Sequence, residues 1–299
     1  MKPLIIGTRG SPLALAQVEI VRDLLKKAHP NLSVEAKVIK TSGDIFTEKS
    51  LSAGGGKGVF TKEIEDQLLN EEIDVAVHSL KDLPTVLPTG LTVGAVPVRE
   101  DARDVFISTK ARSIEELAQG AHVATSSIRR RAQLLAQRPD LQVEEIRGNV
   151  ETRLRKLVEN ISLDAIILAA AGLRRLGLWR TLDHLHWQEI DFTVMLPAAG
   201  QGAIACEVRE SDSTTLELMS VINDADSAAS TTAERAFLQA LGGDCQTPYA
   251  AFAAVVEENL RLLGATFSPD GKDVRRTKVT GPKNMPRELG ERAAKQVLG

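Results

Sequence analysis

Five consecutive residues, His78-Ser79-Leu80-Lys81-Asp82, place an imidazole, a hydroxyl, an ammonium and a carboxylate directly after an apolar segment. In open α/β sheets, ligands gather at the carboxyl ends of strands. Such a group there can bind an anion and move a proton. Asp82 before Leu83-Pro84 reads equally well as an ordinary loop-capping residue. A second cluster, Thr125-Ser126-Ser127-Ile128-Arg129-Arg130-Arg131, lies at a strand-to-helix junction. Hydroxyls and unbonded backbone N–H groups at a helix start, with guanidinium groups nearby, make an anion cradle. The bland alternative is an N-cap followed by a solvated basic turn. Exposed cations there oppose the helix dipole at a cost of about 0.3–1 kcal/mol each, which a bound anion would offset. Arg147-Gly148-Asn149, Thr152-Arg153 and Arg174-Arg175 follow at later strand ends, so these arginines would face one cleft. The planar fork of arginine suits carboxylate or phosphate.

Other chemistry-bearing residues divide more clearly. Gly54-Gly55-Gly56-Lys57-Gly58 suggests a phosphate-binding loop, but Leu51 stands where the first glycine should be and Gly58 follows the lysine. The remaining readings are a flexible loop with a solvated lysine, or a lid that brings Lys57 to an anion. Cys245 sits in a polar loop, Gly242-Gly243-Asp244-Cys245-Gln246-Thr247-Pro248. A lone cysteine is commonly an inert small residue, while a loop thiol near cations can be nucleophilic. Cys206, inside an apolar strand segment, fits the buried reading better. His184 and His186 have no evident third ligand, so no metal site is expected.

The elements that must position these residues alternate. Strand segments are expected at 4–7, 34–39, 73–77 and 91–96, with helices at 12–28 and 60–69. Ser11 caps the first helix and Pro12 takes its first position. Residues 43–58 read as a loop. Residues 97–104, polar and proline-bearing, read as a hinge. A second series follows: strands at 123–125, 143–146 and 165–170, helices at 126–138 and 151–159. Crossings near 100 and 196 imply that the second α/β unit is inserted into the first. The tail changes character, with a helix at 230–241, strands at 249–256, 260–267 and 274–280, and a closing helix at 285–298. Asp270-Gly271 is a hairpin signal.

Composition bounds the function. The 299 residues are 43% hydrophobic and 26% charged, with a net charge of −3. Residues 121–180 nevertheless hold eleven cationic side chains, ten of them arginine, against six acidic ones. A mildly acidic chain with one arginine-dense segment points to a localised anion site. With 3% aromatic residues there are few platforms for stacking bases, so nucleic-acid binding is not expected. No apolar run reaches the length of a membrane span. No signal-peptide core is evident and two cysteines build no disulfide framework, so a cytoplasmic protein is expected.

Nine blocks, in order along the chain, resemble the porphobilinogen deaminase (hydroxymethylbilane synthase) family. They are TRGSPLALAQ (8–17), GGKGVFTKE (55–63), DVAVHSLKDLP (74–84), TSSIRRR (125–131), RGNVETRL (147–154), DAIILAAAGLRRLG (164–177), LPAAGQGA (196–203), TAERAFL (232–238) and CQTP (245–248). The resemblance implies an α/β fold of three domains. The first two (1–98 with 198–217, and 103–195) would be like type II periplasmic binding proteins. The third (220–299) would be a small α+β domain with an antiparallel sheet and helices on one face. It implies a transferase of tetrapyrrole biosynthesis. Four porphobilinogen molecules are joined head to tail into hydroxymethylbilane, with release of four ammonia molecules, on a covalent dipyrromethane cofactor. It places the thioether on Cys245 and the catalytic carboxylate on Asp82. Cofactor contacts fall on Ser79, Lys81, Asp82, Thr125, Ser127, Arg129, Arg130 and Gly148. Substrate contacts fall on Arg9, Ser11, Lys57, Phe60, Arg147, Arg153 and Arg175. A monomer is implied, with no nucleic-acid or membrane partner.

Two departures from the family pattern stand out: Asp244 directly precedes Cys245, and Ala53 stands where many relatives carry lysine. The carboxylate of Asp244 should disfavour the thiolate. The rival expectation is a non-enzymatic binding protein for a small polycarboxylate, which would need neither Asp82 nor Cys245.

Overall fold

The computed structural model describes residues 3–45, 61–243 and 247–299. In chain order the first elements are β1 (Leu4–Thr8), α1 (Pro12–Ala28), β2 (Val34–Val38), α2 (Ser42–Ile45), α3 (Lys62–Leu69), β3 (Val75–Ser79) and β4 (Leu91–Ala95). There follow β5 (Asp104–Ser108), β6 (His122–Ala124), α4 (Ile128–Gln137), β7 (Gln142–Glu144), α5 (Val150–Glu159), β8 (Ala165–Ala169), α6 (Ala170–Arg175) and β9 (His186–Glu189). The chain then runs through β10 (Ile204–Arg209), α7 (Ser213–Ser220), α8 (Ala225–Ala240), β11 (Tyr249–Val256), β12 (Asn259–Phe267), β13 (Val274–Pro282) and α9 (Pro286–Leu298).

Its contacts divide the chain into two units, 1–100 with 203–228 and 101–202 with 229–299. In the first, five strands form one sheet in the order β2-β1-β3-β10-β4. β1, β2 and β3 run parallel, and β10 runs antiparallel to both β3 and β4. The second unit repeats this scheme as β7-β6-β8-β5-β9, with β5 antiparallel to β8 and β9. In each sheet a strand from one side of a chain crossing is inserted, reversed, beside the third strand. Both sheets are mixed and alternate with helices, the α/β class that the resemblance implied. The third sheet, β11-β12-β13, is an antiparallel meander in the second unit. Ala233 and Phe237 of α8 and Leu289, Ala293 and Val297 of α9 cover one face, against Ala251, Leu262 and Val279.

Local sequence explains the elements that carry the site. Ser11 caps α1 by accepting from Ala14 N at 3.2 Å, and Pro12 occupies its first turn. Val18, Val21 and Leu25, at helical spacing, are fully buried on the sheet. β8 (AIILA) is apolar throughout because its central place buries both faces. Some boundaries differ from the sequence reading. The third strand lies two residues later than expected, so Ser79 ends it. α4 is capped by Ser127 instead of Ser126, and α8 starts at Ala225. Of the expected loop at 43–58, residues 43–45 belong to the short helix α2 and the rest lies outside the described residues. β5, β9 and α7 were not anticipated.

Candidate active site

In the first unit, β1 and β3 are parallel neighbours, so the segments that follow them emerge at the same sheet edge. After β1 come half-buried Arg9 and the cap Ser11; after β3 comes the tight turn Leu80–Asp82. That turn is pinned at both ends. Leu80 and Leu83, 1% and 4% exposed, pack with Val96, Ala203 and Ala205. Leu80 N donates to Ala203 O at 3.0 Å, and Leu83 N to Leu80 O at 3.2 Å. With the leucines facing inward, Lys81 is left half-buried and Asp82 exposed. Ser79 Oγ accepts from Gln17 Nε2 at 2.8 Å, and Gln17 is itself buried on α1. Gln17 thus locks the two strand ends together, and no sequence signal singled it out.

In the second unit, β7, β6 and β8 are adjacent and parallel, and the residues after each share one edge. Arg147 and Gly148 follow β7, residues 125–130 follow β6, and Arg175 ends α6 after β8. Buried Thr125 accepts from Ser127 N at 3.2 Å, and Ser127 caps α4 by accepting from Arg130 N. Gly148 has φ +113°, and a Cβ there would lie 2.6 Å from Thr152 Cγ2. Its carbonyl accepts from Arg153 Nε at 2.8 Å. Half-buried Arg147 pairs with Glu145 at 2.9 Å, and Arg175 Nη2 donates to Gly202 O at 2.6 Å.

Arg129 and Arg130 differ from the solvated basic turn that was one alternative. They are 4% and 5% exposed, and both grip Asp104 of β5. Arg129 Nη1 donates to Asp104 Oδ2 at 2.7 Å and to Leu196 O at 2.6 Å. Arg130 gives Nε and Nη2 to Asp104 Oδ1 at 3.0 and 2.7 Å, and Nη1 to Ile167 O at 2.8 Å. Gln201 Nε2 adds a bond to Asp104 Oδ1 at 2.8 Å. Burial pushes Asp104 up, but the two guanidinium charges outweigh it and hold its carboxyl well below the usual range. Burial first, together with repulsion from Arg130, draws Arg129 below its ordinary value despite Asp104. Two buried cations against one anion leave a net positive charge. Arg129 Nε is buried with no hydrogen-bond partner. A bound carboxylate group fits both features.

Of the two cysteines, Cys206 is fully buried on β10 opposite Val77, and burial pushes its thiol up to about 12. It has neither the access nor the thiolate for covalent attachment. Cys245, Lys57 and Phe60, with Ala53 and Asp244, lie outside the described residues. No group of three or more His, Cys, Asp or Glu side chains among the described residues is disposed to hold a metal. None of the described helices is long and apolar enough to cross a membrane.

Comparison with known proteins places these features in context. A family model described as porphobilinogen deaminase, dipyrromethane cofactor binding domain, matches residues 4–217, and one for the C-terminal domain of porphobilinogen deaminase matches residues 228–299. The chain is 48% identical over 297 residues to porphobilinogen deaminase of Desulforudis audaxviator, covering 99% of this chain and 94% of that one. It is also 48% identical over 300 residues to the Paracoccus denitrificans enzyme of the same name, with 99% and 94% covered. Among solved structures, it is similar to a probable amino-acid ABC transporter extracellular-binding protein of Bacillus subtilis. The TM-score there is 0.42, at 11% identity over 74% of this chain and 89% of that one. Matched along almost its whole length, the chain belongs to the porphobilinogen deaminase family.

Proposed function

We propose that this transferase condenses four porphobilinogen molecules head to tail into hydroxymethylbilane, with Asp82 as its catalytic carboxylate. Each condensation breaks the C–N bond of an aminomethyl group, forms a C–C bond between rings, and releases ammonia and a ring proton; after four, one water cleaves the finished tetrapyrrole from its primer and supplies its hydroxyl. The covalent dipyrromethane group, when bound, supplies a two-ring primer and so sets where growth begins. Cys245 is the residue to hold it, since Cys206 is sealed in the first sheet.

Loss of ammonia leaves substrate carbon electron-poor. The Asp82 carboxylate stabilises that developing positive charge and takes up the ring proton. Lys81, next to it, draws in substrate carboxylates. On the second unit, Arg147, Arg153 and Arg175 meet the acetate and propionate groups of the lengthening chain. Ser127, Thr125, Arg129 and Arg130 hold those of the primer. Arg9 and Ser11 serve the same purpose beside Asp82.

The observation that carries this reading is the turn Leu80–Asp82. Buried leucines fix it, yet it presents its carboxylate outward at the carboxyl end of a strand. Asp82→Asn should fold with an unchanged melting temperature and lose about 10²–10⁴-fold in kcat, the usual worth of a positioned acid–base group. Single-turnover release of ammonia from porphobilinogen measures it. A variant within threefold of wild type removes Asp82 from the chemistry.

A further inference from the structure

His78 precedes the turn that carries Asp82, and the mechanism above does not use it. It lies 6% exposed on β3, with Nε2 at 3.2 Å from Oε2 of Glu207, itself fully buried on β10. α3 packs on both strands and brings Glu65, 6% exposed, to the same interior. His78 Nε2, both carboxyl oxygens of Glu207 and Oε1 of Glu65 have no hydrogen-bond partner. Two acids and one imidazole are therefore buried together, while Arg209, two residues along β10 from Glu207, directs its guanidinium to Leu68 O, Ile73 O and Asp212.

We propose that His78 and Glu207 form a buried ion pair that acts as a positioning device for Asp82. This rests on the catalytic role proposed above. The geometry supplies the lever. β3 and β10 are antiparallel partners, with His78 opposite Ala205 and Ser79 opposite Ile204. One step further, Leu80 N reaches Ala203 O. A pull between His78 and Glu207 closes this ladder where it hands the chain to the Asp82 turn. An unpaired buried carboxylate would instead open it toward water.

Glu65 completes the charge balance. Burial first, and then the charge of Glu207, raise its carboxyl above the usual range. Both effects favour its protonated form more than water would. The ionisable groups facing Glu65 are Glu207, His78 and its helix neighbour Asp66. β1 and β4, which flank these strands, carry no ionisable side chain.

The test uses the cofactor-loaded full chain with four variants: His78→Gln, Glu207→Gln, the double variant, and Glu65→Gln. Two quantities are read: amide exchange of Leu80 by NMR, and kcat and KM for porphobilinogen across pH. Each single change in the pair should speed Leu80 exchange about tenfold and lower kcat about fivefold, with KM within about twofold. The double variant, having no buried charge left to satisfy, should recover both readings to within about twofold of wild type. Glu65→Gln, which keeps the size and hydrogen-bonding groups of a protonated carboxyl, should match wild type in both. If neither single variant folds, the double variant and Glu65→Gln decide alone. Additive losses in the double variant, unchanged kcat despite faster exchange, or a Glu65→Gln defect as large as that of Glu207→Gln would each overturn the proposal. These outcomes are separate from the fate of Asp82→Asn, because the exchange reading does not depend on catalysis.

Discussion

Asp104 and Asp82 are both carboxylates near strand ends, yet substitution should affect them in different currencies. Asp82 is exposed, and its loss should register in rate. Asp104 is fully buried and joins α4, the segment after β9 and the middle of β8 through Arg129, Arg130 and Gln201. Asp104→Asn leaves two buried guanidinium groups without their counter-charge, a change that costs on the order of 3–5 kcal/mol. Urea unfolding measures the loss, and an effect under about 1 kcal/mol would discount the network. The pH dependence has a definite sign. Because the folded state depresses the Asp104 pKa, its stabilisation is complete above about pH 4, the unfolded value, and is lost as pH falls below it. Acid unfolding should therefore show a shallower pH slope in the variant than in wild type. The sequence disclosed the arginines but not their partner. Asp104 closes the polar run at 97–104 and so read as part of a hinge, while Val105-Phe106-Ile107 behind it is too short a run to announce a central strand.

Elements were legible where their periodicity was local. α1 announced its cap, its first proline and its buried stripe, and the three strands of the tail stood apart by their turns. β9 (HWQE) was hidden because an exposed edge strand carries no apolar alternation. Side chains that join elements, such as Gln17, Gln201 and Glu207, were hidden for another reason. Each becomes meaningful only through a partner distant in sequence. The hairpin at Asp270-Gly271 shows both halves. Its turn was readable, but its packing was not. Gly271 has φ +74°, and a Cβ there would approach Ala132 O and Ala136 N of α4 at 2.5 Å. The β12–β13 turn thus braces the helix that carries Arg129 and Arg130. Gly271→Ala should cost about 1–3 kcal/mol from backbone strain and overpacking together. The urea midpoint is the measure, and a neutral substitution would show that the turn can move away from α4 cheaply.

At the scale of the whole chain, sequence charge and folded charge tell one story at different depths. The net charge is −3, but Arg129, Arg130, Arg147 and Arg175 follow strands at one edge of the second sheet, and Arg129 and Arg130 lie buried against the single anion Asp104. A polypeptide built this way is electrostatically incomplete until an anionic group is seated in it. Two pyrrole rings with two carboxylates each, held through Cys245, would complete it. Attachment should therefore be visible in both mass and stability. The intact mass of the purified chain should exceed that of its amino acids by two pyrrole units, and Cys206→Ser should keep that increment while Cys245→Ser loses it. By calorimetry, Cys245→Ser should melt about 5 °C or more below wild type, since the carboxylates of a tethered occupant meet the buried guanidinium groups only in the folded state. The gap should narrow as salt rises from about 0.05 to about 0.5 M, because screening relieves the cation excess in the empty chain. Equal melting temperatures at low salt would mean that the arginines are balanced by the protein alone. Retention of the mass increment in Cys245→Ser would move the attachment point elsewhere.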